Sequence, residues 1–137
     1  CRGKRCRSGF AGHRRFGEEA FVSLYLETAL WSSNDESDPE TGGEPMDSNY
    51  STSDIEEGSR KKLEDMARKF YRANHELWEM DSGDDGSAGH NFWLTQNRHG
   101  AGFWDGDYPT NGKKLTELSH KYGEVDLYVG DDGQIYV

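Results

Sequence analysis

Two histidines and an asparagine in the C-terminal third could together hydrolyse a phosphodiester bond. His99, Asn111 and His120 follow one another along the chain, in an order loosely similar to the His-Asn-His arrangement of ββα-metal nucleases. In such a site one histidine activates a water molecule and helix groups hold a divalent ion. The alternative interpretation makes His99 a loop residue and His120 a polar helix position. We favour this alternative, because no aspartate or second histidine directly precedes His99, and we expect no catalytic site.

Two short runs of aspartate offer the hard oxygen ligands that Ca²⁺ prefers. The first run contains Asp81, Asp84 and Asp85, and the second is Asp131 with Asp132. Neither run matches the twelve-residue calcium loop with its terminal glutamate. Aspartate and glycine are also the ordinary residues of turns. We therefore predict turns at both places, with no metal ion and no cofactor.

Tryptophans of the same region could form a binding surface. Trp93 and Trp104 alternate with apolar neighbours on predicted strands, so that pleating turns both indoles away from the core. Exposed beside Arg98 and Tyr108, they would form an interaction patch. The alternative is that the first helix covers this face. The predicted binding residues are therefore Trp93, Arg98, Trp104 and Tyr108.

Charge is distributed unevenly along the chain. The net charge is −10, but residues 1–16 carry six basic side chains and no acidic one, and residues 17–137 carry a net charge of −16. Such an acidic surface repels nucleic-acid phosphates and anionic membranes, and it attracts basic proteins. We expect a protein partner, and no direct binding of nucleic acid or of a membrane.

Apolar residues recur at the three- and four-residue spacing of an amphipathic helix in three segments. Ser53 with Glu56 has the form of a capping box before the second of them, and Gly123 follows the third at a position typical of a helix C-terminus. The segments predicted as helices are residues 17–31, about 54–78 and 113–122.

Alternating or aromatic runs predict strands. Residues 97–101 read as the turn of a first hairpin, and Asp132-Gly133 as the turn of a second. The predicted fold is α+β, with an antiparallel sheet of about four strands (two hairpins) packed against two or three helices, in the order ααββαββ. The segments predicted as strands are residues 91–96, 102–105, 125–129 and 134–137.

The domain prediction separates a tail from a body. Residues 17–137 form a single α+β domain with a mobile acidic loop at about 32–54. Residues 1–16 are a basic tail, interpreted as a processed end or as an addition to the natural domain. The tail contains both cysteines, Cys1 and Cys6, which we interpret as free thiols of a reducing compartment. With no long apolar run in the sequence, we predict a soluble protein of the cytoplasm.

Several stretches resemble a group of small uncharacterised proteins encoded by tailed bacteriophages. The resemblance spans nearly all of the chain after residue 17, and residues 1–16 lie outside it. The group has no established activity, so the resemblance implies a phage origin and action in the host cell, without a mechanism. The stretches are GHNFWLTQNRHGAGFWD at 89–105, LT at 115–116, YVGDDG at 128–133, YLETALWS at 25–32 and NYS at 49–51.

Three functions remain open from the sequence. The leading hypothesis is a small acidic phage protein that binds a host protein, such as a defence or regulatory factor. The second is a metal-dependent nuclease-like hydrolase, and the third is a structural or assembly accessory that associates with itself. We expect binding and not catalysis, because the sequence lacks a signature that fixes a reaction.

Overall fold

Four α-helices make up most of the described chain. The structure is a computed structural model, and it describes residues 17–36, 43–99, 101–104 and 106–137. The basic tail at residues 1–16, with both cysteines, lies outside the described residues, and so does part of the predicted mobile loop. The helices are α1 (Glu18–Ser32), α2 (Glu57–Met80), α3 (Asp85–Gln96) and α4 (Gly112–His120).

The strands of the described residues are short and form two separate antiparallel pairs. In the first pair Asn34 lies opposite Pro45, and in the second Val129 lies opposite Ile135. The prediction of an α+β fold with a four-stranded sheet is therefore wrong, because the protein is mostly helical. The strands are β1 (Asn34–Asp35), β2 (Glu44–Pro45), β3 (Tyr128–Val129) and β4 (Ile135–Tyr136).

Helix α3 occupies the place of the first predicted hairpin. Asp84 caps it, since its carboxylate accepts a hydrogen bond from the backbone N–H of Ser87 at 3.0 Å. The five residues from Phe92 to Gln96 are all buried, so that no polar face marks this part of the helix in the sequence. Without a polar face, helical periodicity is not visible, and the aromatic run resembles a strand.

The second predicted strand of that hairpin is a turn that packs against α3. Gly102 has a φ of 147°, and a Cβ there would lie 2.2 Å from the hydroxyl of Thr95. The same hydroxyl accepts a hydrogen bond from the backbone N–H of Phe103 at 3.0 Å. The chain therefore folds back onto α3 through one side chain and not through a β-ladder.

The first residues of α2 differ from the predicted capping box. Glu56 is the N-cap residue, and its carboxylate accepts hydrogen bonds from the backbone N–H groups of Gly58 and Ser59, both at 2.9 Å. The capping box forms earlier, between Ser51 and Asp54, around a short 3₁₀ turn. The predicted loop at 32–54 thus contains the β1–β2 pair and two 3₁₀ turns among its described residues.

Aromatic rings from all parts of the fold form the centre of the core. The rings of Phe70 on α2 and Phe92 on α3 stack with centroids 3.9 Å apart. Phe21 on α1 stacks on Trp78 of α2 at 5.2 Å. Phe103 is also fully buried. Large rings bury much area per residue, so that this chain builds a core although only 32% of its residues are hydrophobic.

Polar groups tie α1 to the rest of the fold. The two oxygens of Asp85 accept hydrogen bonds from the backbone N–H of Gly17 at 2.6 Å and from the indole N–H of Trp78 at 2.8 Å. In the core, the hydroxyl of Tyr25 donates to the amide oxygen of Gln96 at 2.6 Å. Buried polar atoms that find such partners fix one arrangement of neighbouring elements.

Strand β4 connects the C-terminal hairpin to the beginning of α2. The carbonyl of Ile135 accepts a hydrogen bond from the N–H of Glu56 at 2.8 Å, and the hydroxyl of Ser59 accepts one from the N–H of Val137 at 3.1 Å. The predicted second hairpin is therefore present, in shorter form than expected.

Candidate functional site

The three residues of the nuclease hypothesis have unrelated positions. His99 follows α3 and lines one surface pocket, whereas His120 ends α4 and lines another. Asn111 is the N-cap residue of α4, and its side-chain amide donates a hydrogen bond to the carbonyl of Leu77 at 2.9 Å. Across the described ranges, no group of three or more His, Cys, Asp or Glu side chains could hold a metal ion. No observation favours the hydrolase hypothesis.

The first aspartate run holds the fold together. Asp81 at the end of α2 accepts hydrogen bonds from the backbone N–H groups of Thr110 and Asn111, at 2.9 and 2.8 Å. Asp84 caps α3, and Asp85 joins α1 to α2. Asp81 and Asp85 therefore accept hydrogen bonds from other elements of the fold, and Asp84 accepts them from the helix that it caps.

The second run belongs to the β3–β4 loop. Asp132 accepts hydrogen bonds from the backbone N–H of Gln134 at 2.9 Å and from the hydroxyl of Tyr136 at 2.6 Å. The hydrogen bond raises the pKa of Tyr136 to about 12 and lowers the pKa of Asp132. Asp131 is exposed beside it. The run has the structure of a hairpin turn.

Two of the four residues of the predicted aromatic patch are buried in the fold, and the other two are exposed. Trp93 is only 1% exposed, and its indole N–H donates a hydrogen bond to the hydroxyl of Ser32 at 2.7 Å, so α1 covers it. Tyr108 is also buried. Trp104 is 55% exposed, and Arg98 is exposed at the end of α3. The patch prediction is wrong for Trp93, because it lies on helix α3 and not on a strand that would turn it outward, and for Tyr108, because its ring is buried against Phe103.

One surface pocket is an acidic groove of about 250 Å³. It lies where the C-terminal ends of α1 and α3 meet residues 124–127. Three exposed carboxylates surround it, from Glu36, Glu124 and Asp126, and its other polar groups include Asn34 and His99. We refer to these residues as the acidic groove.

Backbone and side-chain hydrogen bonds hold the walls of the acidic groove in place. The side-chain oxygen of Asn97 accepts a hydrogen bond from the N–H of Val125 at 2.7 Å, and its amide nitrogen donates to the carbonyl of Trp93 at 3.1 Å. Ser32 links the opposite wall to Trp93 and donates to the carbonyl of Thr28 at 2.7 Å. The groove is therefore preformed.

The second pocket, the Trp104 pocket, has a volume of about 400 Å³. It lies between the turn after α3 and one side of α4, and it shares no lining residue with the acidic groove. Its buried aromatic residues are Phe103 and Tyr108, and Trp104 is exposed beside them. The polar residues along α4 that line it are Lys113, Thr116, Glu117 and His120.

The acidic groove could not be predicted from the sequence. Its carboxylates lie at positions 36, 124 and 126, and only the fold brings the first close to the others. The single signal in the sequence was the excess of acidic over basic residues, which does not locate a site.

No protein-family model, curated protein or solved structure matches this chain. Among the helices that the structure describes, none is long and apolar enough to cross a membrane. The features of the described residues that bear on function are therefore the acidic groove, the Trp104 pocket and the distribution of charge.

Proposed function

We propose that this protein acts by binding a partner protein, and that its acidic groove receives a lysine or arginine side chain of that partner. The observation that carries the proposal is the grouping of Glu36, Glu124 and Asp126 around one preformed groove. Carboxylates form strong charge-assisted hydrogen bonds with guanidinium and ammonium groups. The groove thus offers a defined point of contact to a basic surface.

The groove lies just below the usual size range of small-molecule pockets, so one long side chain of a partner is enough to occupy it. Pockets that enclose small-molecule ligands commonly measure about 300–1,000 Å³, and the acidic groove measures about 250 Å³. Arg98 lies 3.9 Å from Glu124, and both side chains are more than half exposed. Such an exposed pair contributes little to stability, so a guanidinium group of a partner can replace it.

The charge of the whole domain supports the same type of partner. Residues 17–137 carry 26 acidic and 10 basic side chains. A field of one sign accelerates the encounter with an oppositely charged protein and repels nucleic acid. The electrostatic field attracts the partner protein, and the acidic groove fixes the position at which the partner binds.

The resemblance to proteins of tailed bacteriophages suggests where this binding takes place. A phage origin would place the binding in the cytoplasm of an infected bacterium, and the acidic charge favours a basic host protein as the partner. A nucleic-acid-binding protein of the host has the basic surface that this proposal requires.

The proposal is tested first with an arginine-rich peptide of about ten residues as the probe. In the groove variant Glu36→Lys, Glu124→Lys and Asp126→Lys are combined. The matched control combines Glu27→Lys, Glu76→Lys and Asp131→Lys, which are exposed acids outside the groove and give the same change in net charge. By calorimetric titration, we expect the groove variant to bind at least about tenfold more weakly than the control.

A second measurement uses the natural partner. Each variant is immobilised and exposed to a bacterial lysate, and retained proteins are identified by mass spectrometry. A basic protein that the control retains and the groove variant loses supports the proposal. Equal losses in the two variants, for the peptide and for the lysate protein, would show that only net charge matters and that the groove is not a site.

A further inference from the structure

The C-terminal hairpin presents two tyrosines that lie face to face. Tyr128 on β3 and Tyr136 on β4 are direct partners in the antiparallel pair, and their rings stack with centroids 5.7 Å apart and an angle of 18° between the planes. Tyr136 is partly buried, whereas Tyr128 is 56% exposed. Tyr128 therefore has one face supported by a neighbouring ring and remains accessible to a ligand.

The contacts of Tyr136 hold the two rings in place without a ligand. Its hydroxyl donates a hydrogen bond to Asp132 at 2.6 Å. A Cβ at Gly130 would lie 2.6 Å from its ring, so the loop backbone packs directly against it. Hydrogen bonds also fix β4 to the beginning of α2. A ligand that stacks on Tyr128 therefore loses little free energy to ordering the site.

Acidic side chains surround the tyrosine pair. Residues 122–137 include four acids and no lysine or arginine. Asp126 belongs to the acidic groove, and because two residues of chain span at most about 7 Å, Tyr128 lies next to that groove. The hydrogen bond to Asp132, and the negative charges of Asp132 and Glu56, raise the pKa of Tyr136. The surroundings of the pair therefore favour a cation.

Basic side chains near the pair are occupied elsewhere. Arg98 lies 3.9 Å from Glu124 on the groove side, and Lys62 of α2 is close enough to Glu56 to act on its charge. Within the part of the chain that the structure describes, no salt bridge involves the aspartates at 126, 131 and 132. Their charge thus remains available to a basic group of a partner.

We propose that the open face of Tyr128 binds an arginine side chain of the partner protein, beside the basic side chain that the acidic groove receives. The inference rests on the proposed function, since it assigns a second contact to the same partner. A guanidinium group over a tyrosine face is attracted by the charge distribution of the ring. The neighbouring aspartates accept hydrogen bonds from the same guanidinium group.

The parallel arrangement of the two rings favours arginine over lysine. A guanidinium group is planar and stacks on aromatic faces, whereas an ammonium group is compact and strongly hydrated. Tyr128 and Tyr136 lie one above the other and do not form a cage, so they offer a single flat surface. The closeness of Asp126 to Tyr128 fits a partner segment in which two basic residues lie near each other.

The test compares the contribution of Tyr128 to the binding of arginine and of lysine. The probes are two fluorescent peptides, one of about five Arg-Gly repeats and one with lysine in place of each arginine, measured by anisotropy. We expect Tyr128→Leu to weaken binding of the arginine peptide by about two- to fivefold. The loss for the lysine peptide should be at most about half as large. A purely structural role of Tyr128 would reduce both affinities equally.

Matched variants separate the ring from general effects. Tyr128→Phe keeps the ring and should retain most of the affinity for the arginine peptide, and Tyr128→Trp should raise that affinity, because indole is the strongest cation–π partner. Trp104 is equally exposed, at 55%, and does not line the acidic groove. Trp104→Leu should therefore leave the affinities for both peptides unchanged. Thermal melts establish that every variant is folded.

Four outcomes would overturn the assignment of Tyr128. They are an unchanged affinity of Tyr128→Leu for the arginine peptide, equal losses for the two peptides, an equal loss for Trp104→Leu, and a dimer of the protein alone that Tyr128→Leu abolishes in sedimentation. The last would assign the ring to a second copy of this chain.

Failure of this inference and failure of the acidic groove give different results. If Tyr128→Leu has no effect while the groove variant binds more weakly than its control, the groove is a site and Tyr128 is not. If the groove variant equals its control while Tyr128→Leu selectively weakens the arginine peptide, Tyr128 is a site and the groove is not. No binding of the arginine peptide by the wild-type protein would overturn both.

Discussion

Carboxylates of this protein have two kinds of environment. Asp85 is 6% exposed and accepts hydrogen bonds from Gly17 and Trp78, whereas Glu36 is exposed at the acidic groove. A buried carboxylate without such donors would be strongly unfavourable. The aspartates at positions 81, 84 and 85 therefore hold the fold together, and the exposed acids remain accessible to a partner.

Phe70 is the residue whose truncation should destabilise the fold most clearly. Its ring is fully buried and stacks on Phe92 at 3.9 Å. We expect Phe70→Ala to lower the free energy of unfolding by about 3–5 kcal/mol, because a cavity remains in the core. The exposed neighbour Lys69 is the control. Lys69→Ala should change the free energy of unfolding by less than about 0.5 kcal/mol. A loss below about 1 kcal/mol for Phe70→Ala in urea titration would contradict this packing.

At the scale of elements, the contact between α1 and α3 depends on a glycine. A Cβ at Gly89 would lie 2.1 Å from the carbonyl oxygen of Phe21, which is backbone and cannot move aside as a side chain can. We expect Gly89→Ala to lower the free energy of unfolding by about 1–3 kcal/mol or more, although alanine favours helices.

Gly58 provides the matched control for this prediction. It lies in the first turn of α2, where a Cβ would meet only the flexible carboxylate of Glu56 at 3.2 Å. Gly58→Ala should therefore leave stability unchanged or raise it by up to about 1 kcal/mol. Chemical denaturation measures the free energy of unfolding of both variants. Equal effects at the two positions would mean that α1 and α3 do not pack closely.

The ion pairs between α1 and α2 make stability depend on acidic pH. Hydrogen bonds from Arg72 and then from Arg68 hold the pKa of Glu18 below its usual value of 4.5. A carboxyl with a lowered pKa in the folded state contributes stability above its unfolded pKa, and that contribution is lost as pH falls through the folded pKa. We therefore expect the free energy of unfolding to decrease below about pH 4.5.

Glu18→Gln should reduce this decrease, because glutamine does not titrate. Denaturant titrations between about pH 6 and pH 3 measure the effect. Glu27→Gln lies on the exposed side of α1 and should retain the wild-type dependence on pH. An unchanged slope for Glu18→Gln would show that these ion pairs do not contribute.

Three helices could be predicted from the sequence, including α1, eight of whose 15 residues are buried. Helix α3 could not, because it combines a buried second half with two glycines, Gly86 and Gly89, which are poor helix formers. Helices α2 and α4 have a polar face, and the spacing of Leu63, Ala67 and Phe70 marks the buried one. Helix α3 is covered by α1 and by the turn containing Phe103. Hydrophobic periodicity appears in a sequence when one side of a helix faces the core and the other side faces solvent. The second half of α3 is buried on all sides, so its sequence shows no such periodicity. Both pockets depend on how helices meet, so their lining residues could not be grouped from the sequence.

The acidic charge should influence the stability of the whole molecule. At a net charge of −10, repulsion among carboxylates opposes the compact state. An increase in salt from about 0.01 to 0.15 M shortens the screening distance from about 30 to 8 Å, so we expect the melting temperature to rise. The groove variant, with three acids replaced by lysines, should show a smaller rise. A falling melting temperature would indicate that favourable ion pairs outweigh the repulsion.

The long separation in sequence between α1 and its main partner has a consequence for synthesis of the protein. Hydrogen bonds from α1 and from its N-cap residue Gly17 reach residues 62 to 71 positions further along the chain, at His90, Asp85 and Gln96. Chains grow at about 5–20 residues per second, so α1 is synthesised several seconds before α3. During that interval α2 can cover Phe21, which stacks on Trp78, but the part of α1 that packs on α3 is still uncovered. The nascent chain is therefore the form of this protein that most needs a chaperone.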